Sequence, residues 1–135
     1  MNPSDVTNKM MHDDAFSQWL GIQILSSSMG SAAVQMTLRK EMTNGFGIAH
    51  GGITYSLADS ALAFASNSYG DVAVSVETQI SHLHPVSVND VLTAKAVEVS
   101  RSAKLAVYNV EIFNDIGKMV AHFKGTVYIK KERHF

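Results

Sequence analysis

The sequence contains no cysteine, only two prolines and no apolar run long enough to cross a bilayer. The absence of cysteine excludes disulfide scaffolds, cysteine-bound zinc, iron–sulfur clusters and thiol catalysis. Eleven basic residues against twelve acidic ones give a formal net charge of −1, so no overall basic field attracts nucleic acid. The first residues also lack the basic stretch and apolar run of an export signal. We therefore expect a cytoplasmic protein that binds neither nucleic acid nor membranes.

The length of 135 residues suits one domain with one hydrophobic core and is too short for two well-packed cores. No internal repeat, linker or low-complexity tract divides the chain. We therefore predict a single domain over residues 1–135, in which residues 1–11 form a short, polar, flexible tail.

Charge is unevenly distributed along the chain. Charged residues make up 17% of the sequence, yet between Met42 and Gly70 the only one is Asp59. A window of this length holds about five charged residues at the average density of the chain. The window therefore predicts a buried segment that carries a single carboxylate.

Hydrophobic periodicity predicts one long helix and six strands. Residues 53–68 lack Gly and Pro and are apolar around most of the circumference, which predicts a helix buried on nearly all sides. A short amphipathic helix, capped by Asp13 and Asp14 and stopped by Gly21, precedes the first strand. Alternating apolar residues predict strands at residues 22–28, 32–39, 72–85, 91–99, 105–113 and 119–130. The fold class is therefore α+β, with an antiparallel sheet curling around one buried helix.

Asp59 lies on a narrow polar stripe of the predicted long helix. At about 100° per residue, Tyr55, Ser56 and Ser66 fall within about 60° of it. Burial of a carboxylate there raises its pKa towards the range of a general base that works near neutral pH. The alternative is a carboxylate that faces solvent or pairs with a neighbouring strand, and the residues alone leave both interpretations open.

The long predicted helix opens at Gly51-Gly52. The first N–H groups of a helix have no partner within it and lie at the positive end of its dipole, so they can bind an oxyanion. Glycine there lets a ligand carbonyl approach the backbone closely. Two glycines before a helix are also common in ordinary turns, and the pattern by itself does not decide between the two.

The residues from Asn44 to Ser68 resemble the signature of hotdog-fold acyl-CoA thioesterases. The shared pattern is Asn44-x2-Gly47-x2-His50-Gly51-Gly52, followed by Leu57-Ala58-Asp59. The stretch is most similar to the phenylacetate-degradation (PaaI-type) branch, and the resemblance covers most of the chain beyond residue 15. It implies a hotdog fold of order ββαββββ, with about six strands around the central helix. It also implies hydrolysis of an acyl-CoA or aryl-CoA thioester such as phenylacetyl-CoA. Coenzyme A is then part of the substrate, and no cofactor is expected.

The resemblance assigns roles to five residues of the motif. Asp59 takes the place of the catalytic carboxylate, which acts as general base or nucleophile. Gly51 takes the place of the residue whose N–H binds the thioester carbonyl, with Gly52 beside it. Asn44 matches a side-chain amide near that carbonyl and the attacking water. His50 matches a histidine with a positioning role.

Three further features follow from the resemblance. Ser75 matches a serine that holds water in some relatives. A related branch has Thr one helical turn after the carboxylate, where this chain has Ala63. In related enzymes the carboxylate faces the glycine and asparagine groups across a dimer interface, so we expect a homodimer that pairs into a homotetramer.

Other residues are candidates for substrate contacts. Arg101 and Lys104, in a predicted hairpin, are the cations that we expect to meet the phosphates of coenzyme A. Phe46 and Tyr55 are candidates for lining an aromatic acyl pocket. His82-x-His84 has a spacing that can bind metal, but no third ligand accompanies it, so we expect edge histidines and no metal site.

Two other functions remain as alternatives. A non-catalytic acyl-CoA or acyl-carrier binding module retains the pocket and does not need the carboxylate. A hydratase or dehydratase of the same fold pairs a histidine with a carboxylate, for which His50 and Asp59 are candidates. The Pro-Gly segment of those enzymes is absent after His50. Release of thiol from CoA thioesters distinguishes hydrolysis from binding alone.

Overall fold

The computed structural model describes all residues from 1 to 135 and contains three α-helices, one short 3-10 helix and six β-strands. In chain order these are α1 (Pro3–Asp13), α2 (Ala15–Leu20), β1 (Gln23–Ser28), β2 (Ser31–Thr37), the 3-10 helix (Lys40–Met42), α3 (Gly51–Asn67), β3 (Asp71–His82), β4 (Val91–Arg101), β5 (Leu105–Phe113) and β6 (Met119–Arg133).

The strands form one antiparallel sheet in the order β1-β2-β4-β5-β6-β3. Hairpins join β1 to β2, β4 to β5 and β5 to β6. Strand β3 follows the long helix and pairs with β6, from Asp71 opposite Arg133 to His82 opposite Ala121. Strands β1 and β3 are therefore the two edges of the sheet. The predicted order ββαββββ and the number of strands are confirmed.

Helix α3 is the centre of the fold and contacts every strand of the sheet. Its alanines let the surrounding backbones approach closely, and its larger apolar side chains Leu57, Leu62 and Phe64 are fully buried. The approach is closest at Gly125 of β6, where an added Cβ would lie 2.6 Å from Leu62 Cδ2. Because the helix is enclosed in this way, its first turn and the side chain of Asp59 have defined positions.

The structure corrects the expectation of a flexible tail over residues 1–11, because most of this segment is helix α1. The side chain of Asn2 accepts a hydrogen bond from Asp5 N–H at 2.9 Å, and the Asp5 carboxylate accepts one from Asn2 N–H at 3.1 Å. Pro3 occupies the first turn, and Val6 is buried against the rest of the protein. The segment is mostly polar, so its hydrophobic periodicity did not predict a helix.

Helix α2 has the predicted ends. Asp14 is its N-cap and accepts a hydrogen bond from Ser17 N–H at 2.9 Å, while Gly21 ends it in the left-handed conformation at a φ of 75°. Ser17 is buried and its hydroxyl lies 2.7 Å from that of Ser60, which ties α2 to α3. None of the three α-helices combines the length and the apolar character that crossing a membrane requires.

Candidate active site

The first turn of α3 offers an unpaired N–H group at Gly51. His50 is the N-cap, and its Nδ1 accepts a hydrogen bond from Gly52 N–H at 2.8 Å. Gly51 N–H has no partner within the chain and lies at the positive end of the helix dipole. The structure therefore corrects the expectation that both glycines contribute to an oxyanion site, because the imidazole of His50 already occupies Gly52 N–H. The positioning role of His50 in catalysis stays a prediction.

Asn44 and Gly51 line one cavity of about 380 Å³. The Asn44 side-chain oxygen accepts a hydrogen bond from Phe46 N–H at 2.9 Å, which closes a turn that Gly47 continues at a φ of 76°. This contact fixes the amide and leaves its NH2 group free to donate. Two kinds of donor, a backbone N–H and a side-chain amide, therefore face the same space.

Asp59 and Ser75 line a different cavity, of about 270 Å³, between α3 and β3. Asp59 is half-buried, and no group of the chain donates a hydrogen bond to its carboxylate. Burial raises the pKa of Asp59, and the negative charge of Asp14 raises it further. Ala63 lies in the same cavity, so no hydroxyl stands one turn after the carboxylate. The structure thus places Ser75 in the same cavity as Asp59, and its role in holding water stays a prediction.

One copy of the chain does not bring all the predicted catalytic residues into one cavity. Asn44 and Gly51 line the first cavity, and Asp59 lines the second. A third cavity, of about 370 Å³, is lined by His50 and Gly52. A single chain therefore presents the electrophile-binding groups and the carboxylate on separate surfaces.

The predicted aromatic pocket residues lie outside these cavities. The Tyr55 hydroxyl is 2.6 Å from Thr78 Oγ1, and its ring packs edge-on against Phe123 at a centroid distance of 5.5 Å. Phe46 is 89% exposed at the tip of the turn after Asn44. The structure therefore gives Tyr55 a place in the packing between α3 and the sheet, and it leaves Phe46 in contact with solvent.

Of the two predicted phosphate-binding cations, Arg101 is held by the protein itself. Its guanidinium lies 3.7 Å from the ring centre of Tyr69 and pairs with Asp71 at 3.4 Å. Its side chain is only 20% exposed, so the guanidinium is largely engaged within the protein, and its contact with a CoA phosphate stays a prediction. Lys104 is exposed in the turn between β4 and β5, and its contact with phosphate stays a prediction.

The structure adds His82 and His84 to the cavity that Asn44 and Gly51 line. His82 is the last residue of β3 and His84 follows it by two residues, a spacing that the sequence displays. Their proximity to Gly51 could not be read from the sequence, because it depends on how β3 passes the start of α3. The chain has no group of three or more His, Asp or Glu side chains that could hold a metal ion.

We expect Asp14→Asn to move the acidic limb of the kcat/KM–pH profile to lower pH. The Asp14 charge disfavours ionised Asp59, so its removal lowers the raised pKa of Asp59, and the ionised base then persists to lower pH. Asn is also a good N-cap, so α2 is retained. Asp13→Asn is the matched control, because Asp13 is 83% exposed. An Asp14→Asn profile that coincides with the control, or that moves to higher pH, contradicts the coupling.

Comparisons with known proteins show the family of the chain. The thioesterase superfamily model matches residues 46–121, more than half of the chain. Acyl-coenzyme A thioesterase PaaI of Escherichia coli K12 is 42% identical over 116 residues, which cover 86% of this chain and 83% of that protein. A putative esterase of Archaeoglobus fulgidus is 39% identical over 123 residues, which cover 91% and 80% of the two chains.

Solved structures show the same architecture. The E. coli PaaI protein from the phenylacetic acid degradation operon superposes with a TM-score of 0.96 at 37% identity, over 97% of this chain and 95% of that chain. A hypothetical thioesterase of Streptococcus pneumoniae TIGR4, solved with coenzyme A, superposes with a TM-score of 0.87 at 28% identity, over 93% and 98% of the two chains. The similarity thus covers the elements that carry Gly51 and Asp59.

Proposed function

The chain belongs to the thioesterase superfamily and is a thioesterase, and we propose that it hydrolyses an acyl-CoA or aryl-CoA thioester to the free acid and CoA. The observation that carries the proposal is the pair of chemical groups on α3. Its first turn offers the unpaired Gly51 N–H, and its side carries Asp59, a half-buried carboxylate that no group of the chain hydrogen-bonds. An electrophile-binding donor and a base of raised pKa are what thioester hydrolysis requires.

The reaction follows from these groups. Gly51 N–H donates a hydrogen bond to the carbonyl oxygen and stabilises the negative charge that develops on this oxygen as the carbonyl carbon becomes tetrahedral. As general base, Asp59 takes a proton from a water whose oxygen forms the new C–O bond; the C–S bond then breaks, and CoA leaves as a thiolate that recovers the proton. As nucleophile, Asp59 attacks the carbonyl carbon and the C–S bond breaks to leave a mixed anhydride. Water then hydrolyses the anhydride to the free acid and supplies the proton that the thiolate takes up. A thiol of pKa about 8.5 is a good leaving group, so no strong general acid is needed.

The active site is completed by a second copy of the chain. Asn44 and Gly51 of one copy then face Asp59 of the other, which explains why a single copy keeps them in separate cavities. Strand β3 supports this arrangement, because it is an edge of the sheet and its Val74 and Val76 are 41% and 60% exposed. A homodimer is therefore part of the proposal, and pairing into a homotetramer and a cytoplasmic location stay predictions.

The acyl group that we propose is aromatic and resembles phenylacetyl. Support comes from the similarity to PaaI, a protein named for acyl-CoA thioesterase activity whose solved structure is described as part of the phenylacetic acid degradation operon. The similarity supports the reaction type more strongly than the acyl group, because substrate choice depends on the residues that line the completed pocket.

A panel of CoA thioesters tests this function. The panel contains phenylacetyl-CoA, a short-chain and a medium-chain acyl-CoA, and the released thiol is measured with a thiol reagent. We expect release from at least one thioester and the highest kcat/KM for phenylacetyl-CoA. Binding of CoA without release from any member would favour the non-catalytic module. Water addition to an enoyl-CoA without thiol release would favour the hydratase.

A further inference from the structure

Two imidazoles in the cavity of Gly51 have no partner in the fold. His82 is the last residue of β3, and His84 follows it by two residues. Both rings line the cavity, and neither makes a hydrogen bond to any group of the chain. The other polar residues that line this cavity are Asn44, Gly51 and Thr54, and the first two are already part of the proposed site. Ring nitrogens that are left unpaired beside such groups are available to a ligand in the same space.

His82 is the closer of the two imidazoles to the start of α3. A Cβ built on Gly51 would lie 3.1 Å from His82 Nε2, so this ring nitrogen sits immediately beside the Gly51 backbone. A ligand oxygen that accepts a hydrogen bond from Gly51 N–H lies about 2.9 Å from the backbone nitrogen of Gly51. His82 Nε2 lies close enough to the Gly51 backbone for a small rotation of the exposed imidazole to direct it at such an oxygen.

Because Gly52 N–H already donates to His50, a second donor to the oxyanion has to come from another residue. An oxyanion is stabilised best by more than one preorganised donor, and the neighbouring backbone donor is taken by His50. Asn44 is then available for the attacking water, while a neutral imidazole with its proton on Nε2 can donate to the carbonyl oxygen.

We propose that His82 is a catalytic residue that donates a hydrogen bond from Nε2 to the thioester carbonyl oxygen held by Gly51 N–H. This inference rests on the proposed function. The proton stays on the imidazole throughout, and the hydrogen bond strengthens as the oxygen gains negative charge in the tetrahedral intermediate. A Cβ at position 51 would come into tight contact with the imidazole, so the placement also favours glycine there.

The test compares His82→Ala and His82→Gln with the unsubstituted protein on the best thioester of the panel. Loss of one oxyanion donor typically costs about 100-fold or more in kcat, so we expect that loss for His82→Ala with KM changed less than about threefold. The amide N–H of His82→Gln can still donate and should restore part of kcat. His12→Ala is the matched control, because His12 is 87% exposed on α1.

Three outcomes overturn the role of His82 while leaving the proposed function intact. The first is a kcat of His82→Ala within about threefold of the unsubstituted value. The second is a raised KM at unchanged kcat, which indicates ground-state binding, for example of a CoA phosphate. The third is an equal loss of kcat and of thermal stability in both His82 variants, which indicates a structural role. If the unsubstituted protein releases no thiol, the proposed function fails first, and the role of His82 fails with it.

Discussion

The Asp59→Asn variant should hydrolyse its best CoA thioester with a kcat at least about 100-fold below that of the unsubstituted protein. Asn preserves the size of the side chain but can neither accept the proton of the attacking water nor attack the carbonyl carbon. No other carboxylate lies between Met42 and Gly70, so no neighbour on the same segment can substitute for it. The measurement is steady-state thiol release at saturating substrate.

The stability of this variant separates a chemical defect from a folding defect. Burial and the charge of Asp14 raise the pKa of Asp59 in the folded protein. The folded state therefore holds this proton to higher pH than the unfolded state, and stability falls as pH rises through the raised pKa. At neutral pH the ionised carboxylate opposes folding, so Asp59→Asn should be at least as stable as the unsubstituted protein. Asp115→Asn, in an exposed turn, is the matched control for activity. Near-normal turnover in Asp59→Asn would exclude its proposed role.

Phe64→Ala should destabilise the protein by about 3–5 kcal/mol, a large part of the total stability of a domain. Phe64 is 1% exposed on α3, among the largest buried side chains, and the sheet encloses it on several sides. Its truncation leaves a cavity in the region that holds the helix and therefore fixes the positions of Gly51 and Asp59. Urea unfolding at one fixed protomer concentration measures the change.

The matched control for this substitution is Phe46→Ala, because Phe46 is 89% exposed. Removing it should change the free energy of unfolding by less than about 0.5 kcal/mol. A Phe64→Ala loss no larger than that of the control would mean that the helix is not held by the core as described.

The architecture could be predicted from the sequence because its signals are periodic and strong. The charge-poor segment after Gly51 indicated a buried helix, and alternation along residues 119–130 indicated the strand that became the start of β6. Helix α1 was missed for a related reason. Its residues are mostly polar, so the hydrophobic pattern is weak. The only sequence signal for this helix is the pair Asn2 and Asp5, which cap it reciprocally.

The site was only partly predictable, because its contacts join residues that are distant in the chain. His50 is an unusual N-cap, and its capture of Gly52 N–H follows from the geometry of the turn. Arginine is usually a surface cation, but here Arg101 pairs with Asp71 and stacks on Tyr69, both about thirty residues away in the chain. His82 comes beside Gly51 because β3 passes the first turn of α3. Local sequence patterns carry no information about contacts between residues that are distant in the chain.

Mixing two inactive variants tests most directly whether the active site is shared between two copies. Asp59→Asn removes the carboxylate, and Asn44→Asp removes the amide donor while keeping an oxygen that can accept from Phe46 N–H. Each variant alone should be inactive towards CoA thioesters. After subunit exchange at equal concentrations, half of the dimers are mixed and each has one intact site, so we predict about a quarter of the unsubstituted activity. A mixture no more active than either variant alone would contradict the shared site.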